Sequence, residues 1–252
     1  ETDTVTFRRA EQVGFHVTEA SWYGRGTAAQ LAIAEGEANR DEPLLISYNL
    51  SDEPDLRLNQ CSPAALQRVA DFIRQVDPSA RFSVTLAGRG RAREAWPDYA
   101  RVVDIMRVDP YPLVVGTPLR LVSDMVTAAH SAAGPDKPVV TVLQAWDWPG
   151  APFPDRLQIR QMAWQSLIAG SNGISYFDWN FELWARHPEF YRAIIDTNHT
   201  IAGIEPLLVT GRKFPALEQQ DVYASVWQHD ALGWMALVTR LGETRDTVDV
   251  RL

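Results

Sequence analysis

The chain has 252 residues, 46% hydrophobic and 22% charged, which is enough apolar side chain for one core of barrel size and excludes a disordered chain. Its formal charge of -8 argues against a nucleic-acid partner, since phosphate backbones are held by basic stripes. The longest apolar runs, such as 138–143, are strand-length and no basic-then-apolar leader opens the chain, so no membrane span is expected; the single Cys61 excludes an internal disulfide and multi-cysteine metal sites.

Helix-like and strand-like segments alternate along the chain, the pattern of parallel strands joined by crossover helices. Residues 6–13 read as a helix ended by Gly14, feeding a strand over 15–22; the Ala- and Glu-rich stretch 28–39 is a helix before a strand that starts at Leu44. Ser62-Pro63 opens a helix to Val76 with a cap and a first-turn proline. A strand over 82–87, a solvated basic turn at Gly88-Arg89-Gly90-Arg91, a helix over 96–103 and a strand over 104–109 follow, ending in the turn Asp109-Pro110-Tyr111-Pro112. Next come a helix over 118–133, a near-continuous apolar strand over 139–146, a helix over 155–169 closed by Gly170, a strand over 174–179 and a helix over 189–204. Past Pro206 the character changes to short β runs at 221–227, 233–239 and 247–252, separated by turn residues, which predicts antiparallel pairing.

Six strand units of this kind predict an α/β fold, a TIM (β/α)8-type barrel two strands short of closure, so that either one or two units precede Glu1 or the barrel is incomplete. The expected division is a barrel domain over 1–210 and a small C-terminal antiparallel unit over 211–252, too small to stand alone and therefore packed on the barrel. Trp164, Trp227 and Trp234 are expected to fill cores.

The strand from Leu44 runs into Asp52-Glu53-Pro54. Period-two alternation puts Ser47, Asn49, Ser51 and Glu53 on one face and Ile46, Tyr48 and Leu50 on the other. In a parallel barrel, strand ends of this hand carry the chemistry, which makes Glu53 a candidate; Asp52 also reads as a cap for the turn that follows. Asp109 and Asp178 stand at other strand ends, as does Glu19. Large flat side chains near such ends, Trp22, Tyr111, Trp146 and Trp179, suit the apolar faces of sugar rings or else pack the barrel mouth. The five histidines, His16, His130, His187, His199 and His229, are dispersed, so no transition-metal site or other cofactor is expected.

Taken in order, DEPLLISYNLSDEPD, FIRQVDP, DIMRVDPYP, PVVTVLQAW and RQMAWQSLIAGSNGISYFDW resemble the barrel of a loosely defined group of glycoside-hydrolase-like proteins over about residues 7–206. The resemblance implies a carbohydrate substrate, oligosaccharide or polysaccharide, with Glu53 as general acid or acid/base. Glycoside cleavage needs one carboxylic acid to protonate the leaving oxygen and a second group to attack or stabilise the anomeric carbon. The strand that resembles the group's seventh ends in Gln144 rather than Glu, and a carboxamide cannot be a nucleophile. The second role then falls to Asp178, Asp109 or Glu19, or to a substrate acetamido group oriented by Asp52. Glu19, Asn49, Asp52, Gln144 and the rim aromatics are expected to bind the sugar. Such a substrate, with a chain that starts at Glu1 rather than Met, points to an extracellular or periplasmic protein. Two rivals stand beside this reading: a non-catalytic carbohydrate-binding or structural protein on a degenerate barrel, which Gln144 favours, and a phosphate-handling barrel, which lacks a Gly-rich phosphate loop.

Overall fold

Ser62 accepts a hydrogen bond from the Ala65 N–H at 3.3 Å and Pro63 stands in the first turn, so the helix Pro63–Val76 begins where the cap and proline dictate. The same agreement of local chemistry and structure recurs through the computed structural model, which describes residues 17–20, 40, 45–56, 62–146, 152–178 and 181–242. The chain divides into two units, residues 1–108 with 128–140, and residues 109–127 with 141–252.

In the first unit, strands β1 (Val17–Ala20), β2 (Leu45–Asp52), β3 (Phe82–Leu86) and β4 (Ile105–Val108) pair in that order, all parallel. One face of β2, β3 and β4 is apolar: Tyr48 and Leu50, Val84 and Leu86, Met106 and Val108 are all fully buried, as are Leu66, Ala70 and Ile73 of the helix Pro63–Val76. Burial of each Leu, Ile, Val or Met side chain among these contributes about 1.5–3 kcal/mol. The opposite face is polar, with Ser47 and Asn49 on β2 beside Ser83 and Thr85 on β3, and Arg107 opposite Thr85.

Alternation predicts Ser51 opposite Thr85 and Glu53 one step further along the same face. The strand instead carries a register irregularity between Asn49 and Asp52, and Asp52 takes the place opposite Thr85. An inserted residue of this kind twists a strand and re-aims its end. Glu53 therefore leaves β2 as a turn residue rather than as the last of an inward row. Other corrections concern boundaries. The short helix expected over 96–103 starts at Trp96 and ends at Ala100, and a 3₁₀ turn, Gly90–Ala95, precedes it. In the basic turn expected to be solvated, Arg89, Gly90 and Arg91 are exposed and Gly88 alone is buried. The helices expected over 6–13 and 28–39 lie outside the described residues.

In the second unit, β5 (Val139–Gln144, of which Thr141–Gln144 belong here) and β6 (Gly173–Phe177) are joined through the helix Arg156–Ala169. That helix has a complete capping box between Asp155 and Gln158, and ends on Gly170 at φ 109°, a conformation that favours glycine. Leu143 and Ala145 pack with Ile159, Met162 and Ala163, and with Phe190, Tyr191 and Ile194 of the helix Pro188–Thr210. The latter helix was expected to stop before Pro206 but runs through it to Thr210. A short helix at Phe181–Arg186 precedes it.

Strands β7 (Arg212–Lys213), β8 (Leu217–Gln219), β9 (Val222–His229) and β10 (Gly233–Arg240) form an antiparallel sheet in which β9 pairs with the other three. Its inner face, with Tyr223, Trp227 and Leu241, packs on Ile168 of the helix Arg156–Ala169. Trp227 fills a core as expected, whereas Trp234 does not: it is 65% exposed on the outer face of β10 and stacks on Phe214. The strand expected over 247–252 lies outside the described residues. Among the described residues no helix is long and apolar enough to cross a membrane.

Candidate active-site residues

At the end of β2, Glu53 has φ 46°, the left-handed region that costs a non-glycine residue roughly 1–2 kcal/mol. Its N–H donates to Thr85 O at 2.8 Å, and its carbonyl accepts from the Leu56 N–H at 3.2 Å, which closes the 3₁₀ turn Pro54–Leu56. Two residues on, Asp55 is 3% exposed and accepts three hydrogen bonds. The Ala87 N–H donates to Oδ1 at 3.1 Å, and the Gly88 N–H (2.8 Å) and Trp96 Nε1–H (3.0 Å) donate to Oδ2. A buried carboxylate supplied with three donors is stable where an unpartnered one would not be. Trp96 is itself 1% exposed, and Arg93 donates from Nε to Gly88 O at 3.0 Å while lying over the Trp96 ring. The turn that carries Glu53 is thus tied to the backbone at the end of β3, at residue 85, and just after it, at residues 87 and 88.

On the polar face below it, Ser47 Oγ donates to Ser83 Oγ at 3.0 Å. Asn49 is 7% exposed, and its Oδ1 has no hydrogen-bond partner among the described residues. Asp52 is half-buried. Glu19 lies within β1, opposite Tyr48, and Trp22 is outside the described residues.

In the second unit, Tyr111, Trp146 and Phe177 form an aromatic cluster. Tyr111 and Phe177 stack at 6.3 Å and 28°, and Trp146 meets both edge-on at 5.7 Å. Leu143 and Ala145 face the helices, so alternation puts Gln144 on the other face of β5. In β6, likewise, Ile174 and Tyr176 pack toward the helices, leaving Ser175 and Phe177 on the opposite side. Phe177 is 48% exposed. Gln144 is fully buried; its Nε2 donates to Trp146 O at 3.1 Å, while its Oε1 accepts no hydrogen bond among the described residues. Asp109, directly after β4, is 5% exposed. Asp178 directly follows β6, and its carbonyl accepts from the Tyr191 hydroxyl at 3.0 Å. Trp179 lies outside the described residues.

Sequence reasoning missed Asp55, Trp96 and Phe177. Phe177 was within reach, since Ile174 and Tyr176 set the helix-facing parity of β6. Elsewhere in this unit, burial holds the Tyr176 phenol well above its usual range, although its hydroxyl donates to Asn198 Oδ1 at 2.7 Å. Burial also lowers the Lys213 ammonium to about 8.

Strand-helix-strand units with parallel pairing, and a separate antiparallel C-terminal sheet, define an α/β protein whose acidic candidates stand at the carboxyl ends of strands, where open α/β sheets and barrels alike bind ligands. Two solved structures are similar to this chain in fold. A β-galactosidase from Bacillus circulans sp. alkalophilus matches with a TM-score of 0.57 at 12% identity, over 74% of this chain and 40% of that one. A glucosidase from Croceicoccus marinus matches with a TM-score of 0.54 at 13% identity, over 88% of this chain and 60% of that one. Identities this low speak for the fold alone, and the chain spans 40% and 60% of these two structures. No protein-family model matches the chain, and no curated protein matches it.

Proposed function

We propose that the chain is a glycoside hydrolase or transglycosidase built on a TIM (β/α)8-type barrel, with Glu53 as proton donor to the leaving oxygen. The observation that carries this reading is Glu53 itself, a carboxylate on a braced left-handed turn directly after a parallel strand. Bracing of this kind suits a catalytic acid, which must meet the glycosidic oxygen in one geometry. For the second catalytic role the chain offers Asp178 and then Asp109, each directly after a strand. Tyr111, Trp146 and Phe177, with Gln144 and Asn49, supply the kinds of surface that hold a sugar, apolar faces and buried hydrogen-bonding groups. The domain limits that go with this reading are 1–210 for the barrel and 211–252 for the appended sheet. A polysaccharide substrate goes with an extracellular or periplasmic location.

Gln144 favours a second reading, a carbohydrate-binding protein without catalysis, because β5 ends in a carboxamide already engaged through its nitrogen with Trp146 O. The deciding experiment is hydrolysis of aryl glycosides and oligosaccharides by the wild type and by Glu53→Gln, Asp178→Asn and Asp109→Asn, each shown to be folded by thermal melt. Loss of about a thousandfold or more in Glu53→Gln supports the enzyme. Inactivity of every protein, with sugar binding retained, supports the second reading.

A further inference from the structure

We propose that Asp55 is a positioning residue for Glu53, an inference that rests on the reading of Glu53 as the catalytic acid. Glu53 occupies a backbone region that its own side chain disfavours, and such a conformation persists only where its surroundings over-determine it. Among the described residues, contacts on both sides of Glu53 do this. On the strand side, the Glu53 N–H holds Thr85 O. On the far side, Pro54 is buried and fixes one torsion, and the carboxylate of Asp55 is pinned by the N–H groups of Ala87, Gly88 and Trp96. Pro54 and Asp55 together therefore determine how the chain leaves Glu53.

Asp is the residue this position demands. Three N–H donors converge on two oxygens at a site that is 3% exposed. Asn would turn an NH₂ toward at least one of those donors, Glu would be a methylene too long, and Ala would leave all three without an acceptor. The site also fixes its neighbours. Gly88 has φ 62°, and a Cβ there would lie 2.5 Å from Trp96 Cζ2, so the ring that supplies the indole donor requires glycine beside it. Asp55, Gly88 and Trp96 form one device whose output is the backbone angle at Glu53.

Two variants separate geometry from charge. Asp55→Asn removes a negative charge two residues from Glu53, which alone favours ionised Glu53. Trp96→Phe keeps that charge and most of the ring, and removes only the indole N–H. The expected results are a fall in kcat of about tenfold or more for Asp55→Asn and of about threefold for Trp96→Phe, with KM within about twofold of wild type. The high-pH limb of the rate profile, set by loss of the Glu53 proton, is displaced in both variants. Wild-type kcat and pH profile in folded Asp55→Asn would overturn the proposal, and should that variant not fold, the same result in Trp96→Phe overturns it.

A readout that needs no turnover keeps the two ideas apart: the Glu53 carboxyl is titrated by carbon NMR in wild type and Trp96→Phe. A shifted titration in an inactive protein sinks the hydrolase reading and leaves the positioning role standing. Where Glu53→Gln abolishes activity but Trp96→Phe changes neither titration nor turnover, the positioning role falls and the hydrolase reading stands.

Discussion

The hydroxyl of Tyr48, in the middle of β2, donates to Oδ2 of Asp77 at 3.1 Å, and both residues are buried. Asp77 is the C-cap of the helix Pro63–Val76, where its own N–H reaches Ile73 O at 2.8 Å. Its other oxygen accepts from the N–H (3.1 Å) and hydroxyl (2.7 Å) of Ser79. This network precedes β3, at the end opposite Glu53, the end where barrel residues serve stability rather than chemistry. Tyr48→Phe leaves a buried carboxylate short of one donor, and the expected loss is about 1–2 kcal/mol. In a chain of this size that lowers Tm by roughly 3–6 °C. Thermal melts and sugar-binding titrations check it together: stability falls and sugar affinity does not move.

Gly88 and Gly90 make a matched pair. Both have positive φ, 62° and 56°, but a Cβ on Gly88 would meet the Trp96 ring while one on Gly90 meets nothing within 4 Å. Gly90→Ala therefore carries only the backbone penalty, about 1 kcal/mol. Gly88→Ala adds the displacement of a buried indole that also holds Asp55, for a total of about 2–4 kcal/mol. Urea denaturation of the two variants measures the difference, and equal stabilities would mean that Trp96 moves aside freely.

Much of the fold was legible because its signals are local. Ser62-Pro63, Asp155 with Gln158, and Gly170 act within four residues, and the helices they bound appear where the sequence puts them. Pro206 misled because a proline was taken to end a helix that continues to Thr210. Trp234 misled because alternation fixes the two faces of a strand, not which one is covered. At the candidate site, strand ends were readable from Asp-Glu-Pro and Asp-Pro-Tyr-Pro. Asp55 was not, since its donors lie 32, 33 and 41 positions away and no short-range pattern announces them. The register shift before Asp52 was equally hidden, because a bulge leaves the apolar-polar pattern of the strand itself unchanged.

Lys213 gives a pH signature. Its ammonium donates to Ile168 O at 2.7 Å, in the last turn of the helix Arg156–Ala169, and lies over the Trp227 ring. The residue as a whole is exposed, but these contacts do not offset desolvation of the ammonium itself, which lowers it from 10.5 to about 8. Between those values the unfolded chain binds the proton that the folded chain has released, so stability rises with pH across that window and the penalty is fully present below it. Lys213→Met removes the titrating group and loses the hydrogen bond. From about pH 7 to about pH 10 the wild type is expected to gain about 1–2 kcal/mol relative to the variant. Denaturant unfolding of both proteins at the two pH values reads this directly, and a constant difference would show that the ammonium is well solvated.

Phe177 separates sugar binding from packing. It is 48% exposed at the end of β6, stacked on Tyr111 and edge-on to Trp146, and a large aromatic left half in water at a strand end adds little to a core. Phe177→Ala should therefore cost about 1 kcal/mol of stability or less, while removal of one wall of the aromatic cluster weakens sugar affinity by about tenfold, or about 1.4 kcal/mol. Phe177→Tyr keeps the ring and should keep affinity within about twofold. Calorimetric titration with the best sugar from the hydrolysis panel, alongside thermal melts, distinguishes the outcomes. A loss of affinity without a loss of stability assigns the cluster to the ligand. The reverse pattern assigns it to packing, and sugar recognition would then rest on buried polar groups such as Gln144 and Asn49.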